Sequence, residues 1–225
     1  KRALLLSEHL AYHEPVTQLR NRAALHRDLL DATQRLGSSG EELTLILINL
    51  DYFRDVNDSL GHTNGDRLLQ HVASRLRAAV GDHNRVAALG GDEFAVLLPS
   101  VVSSNDVELA LSDVHLALQA PIELAGIPIT VEGTLGIAVF PRDGATVDVL
   151  WQHADVALRT AKARHQPHCY YDASFDQYDP TRLALVGELR TAIEADQLLL
   201  HFQPKIDLRT GRPIGAEALV RWKHP

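Results

Sequence analysis

Residues 86–98 read Val86-Ala87-Ala88-Leu89-Gly90-Gly91-Asp92-Glu93-Phe94-Ala95-Val96-Leu97-Leu98. Two short apolar runs flank the Gly-Gly-Asp triplet, and this pattern is typical of a β-hairpin. Glycines adopt the positive φ of a tight turn and, without a Cβ, let the backbone approach a ligand closely. The carboxylates of Asp92 and Glu93 suit Mg²⁺ and a phosphate group beside such a turn. Because a hairpin alone is usually only a turn, the flanking sequence has to decide whether it is a site.

The run from Leu43 to Leu50 is almost wholly apolar, which predicts a short strand buried on both faces. Polar side chains gather at its C-terminal end, namely Asn49, Asp51, Arg54, Asp55, Asn57 and Asp58. Carboxylates that follow a buried strand are costly unless they are paired or bind a cation. The end of this strand is therefore a second candidate site.

Composition sets the broad class of the protein. With 225 residues the chain can form one or two domains with a sizeable core. Its formal net charge of −7 argues against nucleic acid as a partner, because such a surface is expected to be basic. Cys169 is the only cysteine, which excludes an intrachain disulfide, so we expect a reducing, cytoplasmic environment. No apolar run approaches the roughly 18 residues of a membrane span, and no membrane contact is expected.

Apolar periodicity and turn residues predict the remaining elements. In chain order they are a helix over 22–36 capped by Asn21, a helix capped by Asp66 and running to about Val80, a loop over 99–105, a helix over 106–120, a hairpin of strands 122–124 and 127–140, a turn over 141–144, a helix over 147–164 and a closing strand over 168–171. This alternation indicates an α/β fold.

Several motifs together resemble one known family. Gly90 to Phe94 spell Gly-Gly-Asp-Glu-Phe, and residues 49–58 are similar to the family's Asp-x-Asp-x-Phe-Lys-x-x-Asn-Asp. Residues 61–66 match Gly-His-x-x-Gly-Asp, while residues 134–138 and 154–162 are similar to its Ser-Ile-Gly-Ile-Ala strand and Ala-Asp-x-Ala-x-Tyr-x-Ala-Lys helix. The chain thus resembles a GGDEF domain, a diguanylate cyclase that joins two GTP molecules into cyclic di-GMP.

The resemblance implies a fold and a set of boundaries. We expect an α/β domain like nucleotide-cyclase and polymerase palm domains, with a central mixed, mainly antiparallel sheet of about five strands flanked by helices. Residues 1–14 are expected to end an upstream linker helix, and residues 15–174 to form the GGDEF domain. Residues 175–225 are expected to be a linker and the truncated start of a further domain.

The resemblance also implies roles for individual residues. Asp92 and Glu93 are the catalytic carboxylates it implies. The implied ligands of the metal, Mg²⁺ or Mn²⁺, are Asn49, the carbonyl of Leu50 and Asp92. Asp51 could partly substitute for Asn49. The GTP-binding positions are Phe53, Arg54, Asn57, Asp66, Gly90, Gly91 and Lys162. Among these, Asn57 and Asp66 fall where the family reads the guanine edge, and Arg54 and Lys162 where it contacts phosphates.

The chain departs from the family pattern at several of its ligand-binding positions. Asn49 replaces a metal-binding Asp, Ala88 replaces an Arg before the hairpin, and Gln166 replaces a phosphate-binding Arg. Gly81 and Asn84 replace the Arg-x-x-Asp of the inhibitory product site, so feedback by that route should be absent. These losses favour a degenerate, GTP-binding regulatory domain with weak or no synthesis. An active cyclase working as a homodimer and a structural dimerisation module are the alternatives.

The last part of the chain resembles a second family. Residues 198–204 and 215–222 are similar to the start of an EAL domain, the β/α-barrel phosphodiesterase that opens cyclic di-GMP. The residues of this chain at functional positions of that family are Gln203, Glu217 and Arg221. A β/α barrel needs roughly 250 residues, so we expect an incomplete barrel fragment without phosphodiesterase activity. In the full protein, an upstream sensor domain and the complete EAL domain are the expected attached partners.

Overall fold

The computed structural model describes residues 11–36, 41–81, 85–101, 103–175, 188–189 and 191–223. The chain divides into two compact units, Lys1–Phe175 and Asp176–Pro225. Of the predicted upstream helix over residues 1–14, residues 1–10 lie outside the described residues, and so does the substitution at Asn84. In the part of the chain that the structure describes, no helix is both long and apolar enough to cross a membrane.

The first unit is an α/β domain with one five-stranded sheet, as predicted. Its elements are α1 (Arg22–Leu36), β1 (Glu42–Leu50), α2 (Phe53–Leu60), α3 (His62–Val80), β2 (Arg85–Gly90), β3 (Glu93–Val101), α4 (Ser104–Gln119), β4 (Ile122–Leu124), β5 (Ile127–Ile129), β6 (Gly133–Phe140), α5 (Val147–Ala163) and β7 (His168–Tyr170). The strand order is β2-β3-β1-β6-β7, and every neighbouring pair is antiparallel except β6 and β7.

Strand β1 is central because both of its faces are apolar. Successive side chains of a strand point to opposite faces, so Ile46 and Ile48 enter one hydrophobic cluster and Leu45 and Leu47 the other. Helices α3 and α4 cover the first cluster, and helices α1 and α5 cover the second. The polar end of β1 emerges at one edge of this three-layer core.

The hairpin forms where the sequence predicts it. Strand β2 ends at Gly90 and β3 begins at Glu93. Gly90 and Gly91 have φ values of 116° and 60°, which other residues adopt only with strain. A bulge between Ala88 and Gly90 shifts the register, and Asp92 follows in the turn. The two glycines therefore have the conformational role that the sequence predicts.

The prediction that Asp66 caps a helix is wrong. Helix α3 begins at His62, so Asp66 lies inside it, one turn beyond the N-terminal residue. Residues 53–60 also form a helix, α2, which the sequence analysis does not predict. The two helices meet at Gly61, and the side-chain amide of Asn64 donates to the carbonyl of Leu60 at 2.8 Å. Because the chain already turns at Gly61, α3 needs no cap at Asp66.

The predicted loop over 99–105 is too long. Strand β3 continues to Val101, and α4 begins at Ser104, where the backbone N–H of Ser103 donates to the Asp106 carboxylate at 2.9 Å. Pro99 is tolerated in the strand because the pairing of β2 with β3 ends at Leu97, so no β2 carbonyl requires its missing N–H. On the other side, the ladder with β1 is irregular between Glu42 and Thr44.

The predicted strand over 127–140 is two strands. β4 and β5 form a separate two-stranded sheet, and β6 starts at Gly133, paired with Leu50 of the main sheet. Between them, the carbonyl of Glu132 accepts a hydrogen bond from the backbone N–H of Asp51 at 2.9 Å. The apolar run over residues 127–140 therefore contributes one strand to each of two sheets, and apolar periodicity alone does not reveal this division.

The second unit contains an antiparallel hairpin of β8 (Leu198–Ile206) and β9 (Pro213–Trp222). Gln203 pairs with Glu217 across the two strands, and Lys205 lies 3.8 Å from the Glu217 carboxylate. Arg221 donates to the neighbouring carbonyl of Val220 at 3.1 Å. Side chains on both strands are largely exposed, including Phe202 at 66%.

Candidate functional site

The end of strand β1 and the hairpin turn lie side by side. Asn49 pairs with Glu93 in the β1–β3 ladder, and the backbone N–H of Leu50 donates to the carbonyl of Asp92 at 3.0 Å. Asp92 is half-buried and Glu93 is exposed. Four of the predicted site residues therefore lie on two adjacent strand ends, because antiparallel pairing brings the end of β1 to the start of β3.

Lys162 reaches this edge from the last turn of helix α5. Its Nζ donates to the side-chain oxygen of Asn49 at 2.5 Å, although 113 residues separate the two in sequence. Both residues are predicted site residues, and the structure brings them together. The amide oxygen of Asn49 therefore already accepts a hydrogen bond from an ammonium group.

Asp51 is held by a residue that the sequence analysis does not select. The hydroxyl of Thr134 lies 3.1 Å from Oδ1 and 3.0 Å from Oδ2 of Asp51, and donates to this carboxylate. Thr134 is 7% exposed and stands opposite Asn49 in the β1–β6 ladder. The side chains that Thr134 meets on β1 depend on the register between β1 and β6. Only knowledge of that pairing could have identified Thr134 as a residue of the site.

A cavity of about 550 Å³ opens beside Asp51 and Lys162. This volume lies within the range of small-molecule sites. It is bounded by the end of β1, α4, the start of β6 and the segment after α5, and its lining residues include Glu132, Thr134, His115, His165 and Gln166. The predicted residues Asn57, Asp66, Asp92 and Glu93 do not line this cavity.

The remaining predicted ligand residues lie on α2 and α3. The side chain of Asn57 sits over Gly65: a Cβ added at Gly65 would come within 2.0 Å of the Asn57 Oδ1. Phe53 packs against the core, whereas Asp66 is exposed. Arg54 is 92% exposed and lies 3.6 Å from Asp58, one helical turn away. Such an exposed ion pair contributes little and leaves Arg54 available.

His115, which lines the cavity, lies beside two residues outside the lining, His168 and Tyr170. The rings of His115 and His168 are 5.8 Å apart, and the hydroxyl of Tyr170 donates to Glu108 at 2.6 Å. Burial and the neighbouring His115 lower the pKa of His168, so its imidazole is neutral at pH 7. Burial and the hydrogen bond to Glu108 raise the pKa of the Tyr170 hydroxyl. His168 and Tyr170 therefore add no charge near the cavity at neutral pH.

The oxygen atoms at this edge of the sheet suit a cation that keeps part of its water shell. Among the described residues, no three His, Cys, Asp or Glu side chains converge to form a protein-only metal cage. Mg²⁺, however, is usually held by one or two carboxylates together with phosphate oxygens and water. Asp51 follows Leu50 in the chain, and the backbone carbonyl of Asp92 accepts the N–H of Leu50, so two residues with carboxylates of this kind adjoin Leu50. The chemistry of the site thus fits a hydrated Mg²⁺ or Mn²⁺ ion that arrives with a phosphate ligand.

Comparison with protein families gives two matches. Residues 11–168 match the model described as "Diguanylate cyclase, GGDEF domain", and residues 186–225 match the model of the EAL domain. The first match includes every predicted catalytic, substrate and metal residue.

Curated relatives match almost the whole chain. It is 37% identical over 217 residues to the bifunctional diguanylate cyclase/cyclic di-GMP phosphodiesterase MucR of Pseudomonas aeruginosa, covering 96% of this chain and 32% of that protein. It is 35% identical over 217 residues to the cyclic di-GMP phosphodiesterase PdeR of Escherichia coli, with the same coverage of 96% and 32%. The chain therefore spans about a third of the length of these relatives.

A solved structure has the same fold as the first unit. The crystal structure of the GGDEF domain of TpbB (YfiN) from Pseudomonas aeruginosa aligns with a TM-score of 0.67 and 35% sequence identity. The alignment covers 69% of this chain and 98% of that domain.

Proposed function

The chain belongs to the diguanylate cyclase GGDEF-domain family, with the start of an EAL domain behind it, and from this premise we propose that it binds GTP with a divalent cation and synthesises cyclic di-GMP weakly or not at all. In the full protein, the bound nucleotide would regulate the attached phosphodiesterase domain. An upstream sensor domain and a homodimer formed through the GGDEF domain belong to the same proposal.

One observation carries this proposal. Asp92 and Glu93 of the hairpin lie against Asn49 and Leu50 at the end of β1, and a cavity of about 550 Å³ opens beside the same strand end. Lys162 lines that cavity and supplies a positive charge for a phosphate group. Two carboxylates, those of Asp51 and Glu132, line the same cavity, and carboxylates beside an ammonium group are what a metal–triphosphate complex requires.

The chain's own residues would hold the cation and the phosphates. Asp92, Asp51, the carbonyl of Leu50 and the amide oxygen of Asn49 are the proposed metal ligands. When bound, the cation would neutralise charge that accumulates on the phosphate oxygens. Glu93 stands beside this group as the second catalytic carboxylate, and Gly90 and Gly91 permit close approach of the backbone. Lys162, Arg54 and the backbone amide of Phe53 would contact the phosphates.

Recognition of the base would fall to α2 and α3. The side-chain amide of Asn57 offers both a donor and an acceptor, and the carboxylate of Asp66 offers acceptors. Together they complement the mixed donors and acceptors of the guanine edge. Asn57 and Asp66 do not line the cavity beside Lys162, so the proposed nucleotide would extend from these helices across the strand end with its phosphates toward the cavity.

Weak synthesis follows from missing charge. Phosphoryl transfer depends on positive groups that stabilise negative charge on the transferred phosphate. Gln166 lines the cavity as a neutral side chain, Ala88 is a buried methyl group, and His168 is neutral. Lys162 is the cation that remains in the cavity lining, and it is already hydrogen-bonded to Asn49.

Active synthesis is the second candidate, and the position of Asp51 favours it. The carboxylate of Asp51 lies beside the cavity, two residues beyond Asn49, and could replace the negative charge that an amide at position 49 lacks. The two candidates differ in the products formed, so chromatography separates them.

Calorimetric titration with GTP and Mg²⁺ tests binding, and nucleotide chromatography after incubation tests synthesis. We expect heat of binding with Mg²⁺ present and little or no cyclic di-GMP. Absence of binding at millimolar GTP would overturn the proposal and leave a structural dimerisation module. Rapid conversion of GTP into cyclic di-GMP would instead establish the second candidate.

Replacing Asn49 by Asp should raise the Mg²⁺-dependent affinity for GTP by about tenfold, which corresponds to about 1.4 kcal/mol. A carboxylate adds negative charge beside Asp92 and can pair with Lys162, whereas the amide is neutral. Isothermal titration with and without Mg²⁺ measures the change. Asn105→Asp, the same substitution at an exposed position of α4, is the matched control and should have no effect. Equal affinities for the wild type and Asn49→Asp would place the cation elsewhere.

Replacing Gly65 by Ala should weaken GTP binding by about 10- to 100-fold while the melting temperature hardly changes. The new methyl group would displace the side-chain amide of Asn57. This costs little folding free energy because a flexible side chain can move and Ala favours a helix. Loss of one or two hydrogen bonds to the base would account for the lower affinity. Thr63→Ala, an exposed site in the same helix, is the control. An unaltered GTP affinity in Gly65→Ala would remove Asn57 from base recognition.

A further inference from the structure

We infer that Thr134 is a positioning residue for the Asp51 carboxylate, and that this pair makes Asp51, rather than the neutral amide oxygen of Asn49, the main side-chain ligand for the divalent cation at the end of β1. The inference deepens the proposed function and rests on it. It assigns a role to a residue on β6 that is neither a predicted ligand nor a part of the hairpin.

The Asp51 carboxylate accepts a hydrogen bond from the hydroxyl of Thr134. The Thr134 hydroxyl lies at nearly equal distances from both carboxylate oxygens, 3.0 Å and 3.1 Å. The backbone N–H of Asp51 also donates to the carbonyl of Glu132, at 2.9 Å. A hydroxyl has one hydrogen, so most lone pairs of the carboxylate remain available. Both Asp51 and Thr134 line the cavity.

The position of the Thr134 hydroxyl is restricted by the strand that carries it. Thr134 is 7% exposed and lies in the ladder between β1 and β6, where it is paired with Asn49. A β-branched side chain in a strand has restricted χ1 freedom. The hydroxyl is therefore a fixed donor, and it limits the orientations that the half-buried Asp51 carboxylate can adopt.

Asn49 is the competing cation ligand at this strand end. The side-chain oxygen of Asn49 already accepts a hydrogen bond from the ammonium group of Lys162. A cation at that oxygen would lie close to another positive charge, which is unfavourable. Asp51 carries a full negative charge and is hydrogen-bonded only to a neutral hydroxyl among the described contacts of its carboxylate. Asp51 is consequently the better cation ligand of the two.

The experiment measures Mn²⁺ binding by electron paramagnetic resonance, with and without GTP, in the wild type, Thr134→Val and Thr134→Ser. Thr134→Val keeps the shape of the side chain but removes the donor, and we expect Mn²⁺ affinity in the presence of GTP to fall by about 10- to 100-fold, as for other residues that orient metal ligands. Thr134→Ser keeps the hydroxyl and should retain wild-type affinity within about twofold.

Further measurements distinguish a positioning role of Thr134 from a purely structural one. GTP affinity in EDTA and the melting temperature should be nearly the same in Thr134→Val as in the wild type if the residue acts through Asp51. Asp51→Asn should lower Mn²⁺ affinity as strongly, and the double variant should be no worse than Asp51→Asn alone, because the two residues act as one unit. If Thr134→Val does not fold, comparison of Asp51→Asn with the wild type decides whether Asp51 receives the cation.

The outcomes separate this inference from the proposed function. Wild-type protein that binds Mn²⁺ and GTP, with a Thr134→Val variant that binds Mn²⁺ equally well, would overturn the inference alone. Wild-type protein that binds neither would overturn both. Additive losses in the double variant would show that Thr134 and Asp51 act independently, which also contradicts the inference.

Discussion

Replacing Asp92 by Ala should reduce Mg²⁺-dependent GTP binding by roughly 10- to 150-fold, while the protein remains folded. Asp92 is the half-buried carboxylate of the hairpin turn, and its backbone carbonyl accepts the N–H of Leu50 at 3.0 Å. Alanine preserves that backbone contact and removes only the carboxylate. Loss of a charged ligand of this kind costs about 1.5–3 kcal/mol or more, which corresponds to a factor of roughly 10 to 150.

Isothermal titration with GTP in Mg²⁺ and in EDTA measures the effect. The metal-dependent part of the affinity should disappear in Asp92→Ala, and the affinity in EDTA should stay close to that of the wild type. Asp113→Ala removes an exposed carboxylate from α4 and controls for the change in net charge. Undiminished metal-dependent affinity in Asp92→Ala would mean that the hairpin is not part of the nucleotide site.

Replacing Gly136 by Ala should destabilise the first unit by about 3 kcal/mol or more. Strand β6 passes so close to helix α5 at this position that an added Cβ would lie 2.3 Å from the backbone nitrogen of Leu158 and 2.4 Å from the carbonyl oxygen of Ala154. Both atoms belong to the backbone, so no side-chain rotation relieves the clash. The strand and the helix would have to separate, and the layer between them would lose its close packing.

Thermal unfolding followed by circular dichroism measures this loss. For a domain of this size, roughly 2–4 °C of melting temperature corresponds to each kcal/mol, so a fall of roughly 6–12 °C is expected. Gly133→Ala, on the same strand, is the control. Its nearest contact would be the flexible end of the Leu118 side chain at 2.8 Å, which can move, so a much smaller effect is expected. Equal melting temperatures for Gly136→Ala and the wild type would contradict the close approach of β6 and α5.

Local sequence patterns predicted the elements whose boundaries depend on local physics. The hairpin at Gly90 and Gly91 follows from their positive φ, and helix α1 begins after Asn21, whose side chain accepts the N–H of Ala24 at 3.0 Å. Strand β1 was predicted because the run from Leu43 to Leu50 is almost wholly apolar, and in the structure every residue from Leu43 to Ile48 is buried. The errors lie where two elements meet. Helix α3 starts before Asp66, β3 continues past Pro99, and the run before Phe140 splits between two sheets.

By itself, the sequence determined the class of the fold, the hairpin and the identity of most candidate ligands, because turn residues, apolar periodicity and motif letters are local properties. The tertiary structure alone decided which of those ligands meet. The contacts of Lys162 with Asn49 and of Thr134 with Asp51 join residues 113 and 83 positions apart. They depend on strand register and on the packing of α5 against the sheet, and a change of register by one residue would turn these side chains to the opposite face.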